Sequence, residues 1–182
     1  MSEVIAIVNE ILLIKYLLNN KYFYKRRKVF LNYFLDHFAT TLFRQTMFAE
    51  FEKEIHDKIQ NHKILNYNDI CDIYRDLYIK YYSPVLKITK EIKFEWTRIP
   101  HFYRQFYTYK YPLSFSIAIM LVEILQSDNQ ELKNKYINFL KEDNLSSFND
   151  IFSKYDININ SSNSIQYALN MFGNLLNEFA NS

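Results

Sequence analysis

Apolar positions recur at helical spacing along most of this chain. Val4, Ile7, Val8, Ile11, Ile14 and Leu18 form one stripe, which predicts a helix over 3–18 and a break at Asn19-Asn20. Phe30, Phe34, Phe38, Leu42 and Met47 continue the pattern and predict a long helical region over 22–62. Its end, from Glu50 to Lys63, mixes acids and bases and reads as solvated. A helix this long is unusual in a small domain, so a kink or break is expected inside it. Asn66 or Asn68 is placed to cap a third helix with Ile70, Ile73, Tyr74, Leu77 and Tyr81 on one face, and Ser83-Pro84 ends it. Residues 85–95 show no period and read as a connector. Pro100 suits the first turn of a fourth helix, which is expected to run through an aromatic block to Leu125, interrupted or kinked by Pro112. Ser127-Asp128-Asn129 is a break. Short helices are expected near 130–140 and 147–154, then a polar loop over 158–163 and a last helix over 164–179. No alternating strand pattern, internal repeat or linker stands out. The prediction is all-α, one helical domain over 1–182.

Composition strengthens this picture. Of the 182 residues, 49% are hydrophobic and 23% charged, which is enough apolar material for one packed core. A single glycine and three prolines leave little for tight turns and hairpins, so long helices are favoured over sheet. The 16 Tyr and 16 Phe supply large packing groups, and the tyrosines add hydroxyls at surfaces and clefts.

Charge and cysteine usage narrow the function classes. A net charge of +2 is too small to point to nucleic acid or an anionic membrane. The basic run Lys25-Arg26-Arg27-Lys28 beside Tyr22, Phe23 and Tyr24 reads as a solvated helix start. Lone Cys71 on an apolar helical face fits a reduced, cytoplasmic setting. The stretch after Met1 carries Glu3 and Glu10, unlike a secretory signal, and Val4 to Leu18 is too short and polar to span a bilayer.

The candidate chemistry is concentrated in one block. The histidines His37, His56, His62 and His101 belong to no HExxH sequence, in which two metal ligands stand one helical turn apart around a glutamate base. His56 and His62, six residues apart, fall on different helix faces. Cys71 has no basic partner nearby, no serine has flanking glycines, and Gly173 alone makes no phosphate loop. The unusual segment is Arg98 to Tyr111. If helical, it aligns Tyr103, Phe106, Tyr107 and Lys110 on one face, with Tyr109 roughly opposite Tyr107. Phenol and imidazole groups at a cleft can donate hydrogen bonds to a developing oxyanion. The alternative is a packed aromatic seam with hydroxyls at its rim.

Three segments, in order, resemble the oligoendopeptidase F type of zinc metallopeptidase in the thimet-like family M3. Phe38 to Glu52 contains Arg44-Gln45-Thr46-Met47-Phe48-Ala49-Glu50-Phe51-Glu52, similar to that family's RQTMFAEFE helix. Trp96 to Tyr109 is similar to its W-x-x-IPHFY…FYVYxY block, and Glu3 to Glu10 to the AEVASTxNE segment that follows its zinc motif. The resemblance covers nearly the whole chain. It implies an all-helical, C-terminal portion of a zincin-type oligopeptidase catalytic domain, without the HExxH segment. It makes Glu3 the counterpart of the third zinc ligand. His101 and the tyrosines become groups that bind the substrate backbone and stabilise the tetrahedral intermediate, with Tyr103, Tyr107 and Tyr109 as candidates and Tyr109 first. It also implies short peptides as substrates and one zinc ion per intact enzyme. The chain alone is expected to be inactive and not to hold zinc. A second function class is a non-catalytic helical module that associates with another polypeptide, either a separate N-terminal half carrying HExxH or another protein.

Several positions depart from the family pattern. Ile5-Ala6-Ile7 replaces small polar residues, and Tyr111-Pro112-Leu113-Ser114 stands where the family has YATG. Ser83, Glu142 and Tyr155 stand where the family has glycines. Losing a glycine where a turn needs positive φ costs about 1 kcal/mol each.

Overall fold

A computed structural model of the chain describes residues 2–127, 129–141 and 163–182. Every regular element among the described residues is helical. In order these are α1 (Ser2–Asn19), a 3₁₀ segment (Lys21–Arg26), α2 (Arg27–His37), a π-helical stretch (Phe38–Phe43), α3 (Arg44–Gln60), α4 (Tyr67–Tyr82), 3₁₀ segments over Lys90–Arg98 and Pro100–Tyr103, α5 (Lys110–Gln126), α6 (Gln130–Lys141) and α7 (Asn163–Ala180). The predicted helix over 147–154, most of the polar loop over 158–163, Asp128, and the departures at Glu142 and Tyr155 lie outside the described residues.

The chain divides into two compact units. Met1–Phe38 with Leu113–Ser182 form one, and Ala39–Pro112 the other. In the first, the predicted stripe of α1 is buried at Val4, Ile7, Val8, Ile11 and Ile14. Phe34, Phe38 and Phe115 pack ring on ring, Phe38 meeting Phe115 edge-on at 4.9 Å. Full burial of one such side chain is worth roughly 1.5–3 kcal/mol. In α5, eight consecutive residues from Phe115 to Val122 are buried, as expected of a helix that is apolar all round. The basic run stands at the start of α2 with Lys25, Arg26 and Lys28 exposed, as expected, while Arg27 is half-buried. Arg27 donates from Nε to Glu178 of α7 at 2.7 Å, and Lys28 donates to the Ser182 carbonyl at 2.8 Å. The physical reason is that the run begins α2 beside the end of α7, where the negative end of the helix dipole and Glu178 attract cations.

The second unit has an aromatic core. Met47, Phe48, Phe51, Tyr74 and Leu77 are buried together, with Trp96, Ile99 and Phe102 packed against them. Phe51 meets Tyr74 nearly perpendicularly at 5.0 Å, and Phe102 lies within 5.4 Å of both Phe48 and Phe51. The third helix starts where Asn66 predicts. Asn66 accepts from the backbone of Asn68 and Asp69 while Asp69 accepts from the backbone of Asn66, a complete capping box. It ends at Ser83, before a cis Ser83–Pro84 bond.

The break expected within 22–62 is present: the region forms four helical pieces, with the π stretch between α2 and α3. Phe38, Leu42 and Met47 are all buried at spacings of four and five, wider than the 3.6 of an α-helix and suited to the wider π turn. The end from Glu50 to Lys63 is only partly solvated, because Phe51 and Glu52 turn into the core of their unit. The larger correction concerns the fourth helix. It does not run through the aromatic block. The chain makes short 3₁₀ segments over Lys90–Arg98 and Pro100–Tyr103, leaves helical geometry from Arg104 to Tyr109, and starts α5 only at Lys110. Phe106 adopts positive φ of 49°, which no right-handed helix accommodates. Pro112 therefore starts a helix rather than interrupting one. It is the third residue of α5, where no intrahelical N–H bond is required.

Two substitutions check these local accounts. Asn66→Ala is expected to lower stability by about 1 kcal/mol, read as a lower urea midpoint at unchanged slope. Gly173 sits inside α7 with nothing within 4 Å of an added Cβ. Gly173→Ala is expected to raise stability by about 0.5–1 kcal/mol in the same titration.

Candidate active site

The aromatic block is held by two carboxylates that belong to its own unit. Glu95, in the 3₁₀ segment Lys90–Arg98, has a side chain only 8% exposed. It accepts from Tyr74 Oη at 2.8 Å, from Arg44 at 2.5 Å and from Arg98 at 2.9 Å. That network ties the segment before Pro100 to α3 and α4. Burial alone would raise the Glu95 pKa, but the hydrogen bonds from Arg98 and Tyr74 and the charge of Arg44 outweigh it and hold the carboxyl below its usual range. Burial first, and then the hydrogen bond to Glu95 and its negative charge, push the Tyr74 phenol up, so it stays a donor.

Glu52, on α3, is 6% exposed. Its carboxylate accepts from the Phe106 backbone N–H and from the Thr108 hydroxyl at 3.3 Å. Thr108 is fully buried. One helical turn along, the His56 ring lies 4.6 Å from the Phe106 ring. A bulky residue at positive φ costs roughly 1–3 kcal/mol and persists only when its surroundings determine it. Here α3 supplies both the acceptor and the ring contact.

This turn sorts the predicted site residues. His101 and Tyr107 come together: their rings stack at 6.0 Å and 11°. Tyr111 joins them, its hydroxyl 3.3 Å from His101 Nε2 and its ring edge-on to both. Arg104 and Lys110 lie over the Tyr107 ring at 5.5 and 5.1 Å. The cluster thus joins an imidazole and two phenols under two cations, a setting that favours donation to an anionic oxygen. Tyr109 points elsewhere. With Phe106 it lines a groove of about 550 Å³ whose wall is α3 at Thr46, Ala49, Glu52 and Lys53. Tyr103 is 83% exposed and its hydroxyl donates to the Thr97 carbonyl at 3.4 Å. Glu3 is exposed in the first turn of α1, where an acid also suits the positive end of the helix dipole.

Helical patterning alone does not pick out Glu52, Glu95, Thr108 or Tyr111. Glu52 did leave a signal: it stands four residues after Phe48 and three before Ile55, a carboxylate on an apolar stripe. Buried charges keep such places only when paired or hydrogen-bonded.

A catalytic zinc needs three protein ligands. Among the described residues, no three His, Cys, Asp or Glu side chains gather closely enough to hold a metal. The described residues do not by themselves supply that ligand set. No helix among the described residues is long and apolar enough to cross a membrane.

Glu95 gives the site a pH signature. Its folded pKa is lowered, so its stabilising contribution is complete above the ordinary value of 4.5 and is lost as pH falls through the folded value. Glu95→Gln is expected to lower stability at pH 7 and to flatten the acid limb of a urea-midpoint profile below pH 4.5.

The family model for peptidase family M3 matches residues 1–171. The oligopeptidase PepF of Bacillus subtilis is 40% identical over 177 residues, 97% of this chain and 26% of that protein. The plasmid-borne oligoendopeptidase F of Lactococcus lactis subsp. cremoris is 33% identical over 178 residues, 98% of this chain and 30% of the relative. The crystal structure of oligoendopeptidase-F from Enterococcus faecium superposes with a TM-score of 0.89 at 35% identity, covering 98% of this chain and 35% of that one. A putative peptidase from Chlamydophila abortus superposes with a TM-score of 0.83 at 29% identity. The chain thus spans between a quarter and a third of the length of these curated relatives.

Proposed function

This chain belongs to peptidase family M3, and on that premise we propose that it is one part of a cytoplasmic zinc endopeptidase that cleaves short peptides. It corresponds to the C-terminal part of the catalytic domain. The observation that carries this reading is the gathering of His101, Tyr107 and Tyr111 by a turn that no regular helix would make.

In this assignment His101 and Tyr107 bind the substrate backbone and donate hydrogen bonds to the carbonyl oxygen as negative charge develops on it. Tyr109, on the far side of the turn, is a second donor or a wall for the peptide, and Tyr103 lies at the rim. Donors already aimed at that oxygen cost no reorganisation during the reaction, and one of them is typically worth a hundred- to a thousand-fold in rate. Zinc, when bound in the intact enzyme, supplies Lewis acidity and an activated water. Its two histidines and the glutamate base belong to an HExxH segment that this sequence lacks, and Glu3 is the one ligand this chain would contribute.

The purified chain is therefore expected to leave a quenched oligopeptide intact with or without added zinc. Mixed with a polypeptide carrying the HExxH half, it is expected to form a complex and cleave. In that mixture Tyr107→Phe or His101→Ala should lower kcat roughly a hundred- to a thousand-fold. Robust zinc-dependent cleavage by the chain alone overturns the division of labour. A complex without cleavage favours a non-catalytic helical module instead.

A further inference from the structure

We propose that Glu52 is a positioning residue whose carboxylate sets the Phe106–Thr108 turn and so aims Tyr107 and Tyr109 to opposite sides of it. The assignment rests on the reading of the aromatic block as a donor site, but the turn itself is tested independently of peptidase activity.

Three observations converge on Glu52. It is a nearly buried carboxylate on α3, next in sequence to Phe51 of the aromatic core. Both of its oxygens receive donors from the turn, Oε1 from the Phe106 N–H and Oε2 from the Thr108 hydroxyl. Those two residues bracket Tyr107, and Thr108 immediately precedes Tyr109. The conformation they hold is costly by itself, since Phe106 has φ of 49°. Without an acceptor at this point the Phe106 N–H would lose its partner, and the preferred outcome is relaxation to negative φ. Such a relaxation rotates the following peptide unit, and with it the Tyr107 and Tyr109 side chains. The His56 ring on the Phe106 ring restrains the side chain but offers the backbone N–H no acceptor. A bland alternative is that Glu52 merely fills space, and the variants below separate the two.

Amide hydrogen exchange on the full 182-residue chain decides the matter. Glu52→Leu keeps apolar volume and removes the acceptor; Glu52→Gln keeps an acceptor and removes the charge. The expected result is that Glu52→Leu accelerates exchange of the Phe106 amide at least tenfold, while amides near Tyr74 in α4 stay protected and report an intact fold. Glu52→Gln should restore protection to within a few-fold of the parent chain. Should Glu52→Leu fail to fold, Thr108→Val, which removes only one donor, is expected to accelerate Phe106 exchange by a few-fold. Unchanged Phe106 protection in Glu52→Leu overturns the proposal, as does equal loss in Glu52→Gln, or unchanged protection in Thr108→Val where that variant is the one used. In the mixture with the HExxH half, Glu52→Leu should depress kcat more than tenfold with little change in KM, and Glu52→Gln should recover it. A parent mixture with no activity refutes the peptidase reading alone, because the exchange result stands apart from it.

Discussion

The Phe106 N–H donates to the carboxylate of Glu52, and much of the aromatic block follows from that bond. A backbone donor away from water must find a partner, and a carboxylate in a core must find donors. Each of these groups satisfies the other. Their union holds Phe106 at positive φ, prevents one helix from running from Pro100 to Leu125, and separates Tyr107 from Tyr109. Glu95 does the equivalent work upstream, tying the segment before Pro100 to Arg44 and Tyr74. Both carboxylates hold short, irregular backbone against a rigid helical pair whose own stability comes from packed rings.

This division of tasks explains why α3 and the aromatic block matter together. α3 brings Arg44, Phe48, Phe51, Glu52 and His56 to bear on residues more than forty positions later in the chain. It is less a wall than a template. For the donor role proposed here, small errors of placement would cost large factors in rate. Irregular backbone gives freedom to place His101, Tyr107 and Tyr111 around a common point. Buried anchors remove the looseness that such backbone would otherwise have.

The helices were legible because their signals are local. The stripe from Val4 to Ile14, the Asn66 cap and the Ser83-Pro84 stop each depend on neighbours within a turn or two. The irregular block was not legible by periodicity, because its geometry is imposed by Glu52 and Glu95 from distant positions. Its residues suit a helix well enough that Tyr103, Phe106, Tyr107 and Lys110 make a convincing stripe until a distant carboxylate captures the Phe106 N–H. The resemblance in Arg44–Glu52 and in Trp96–Tyr109 pointed to two segments that pack together in the structure, without giving their geometry. Sequence did not single out Tyr111, which the structure gathers with His101 and Tyr107.

The tyrosines of this turn are proposed to meet the substrate where charge develops, and not merely where the peptide binds. A phosphinic peptide, whose tetrahedral anionic centre imitates the intermediate, distinguishes the two when its affinity is compared with that of the matching uncleaved peptide in the complex with the HExxH half. Tyr107→Phe is predicted to weaken the phosphinic peptide roughly a hundred-fold while leaving substrate affinity within a few-fold. Equal weakening of both ligands, or of neither, would rule out that role for Tyr107.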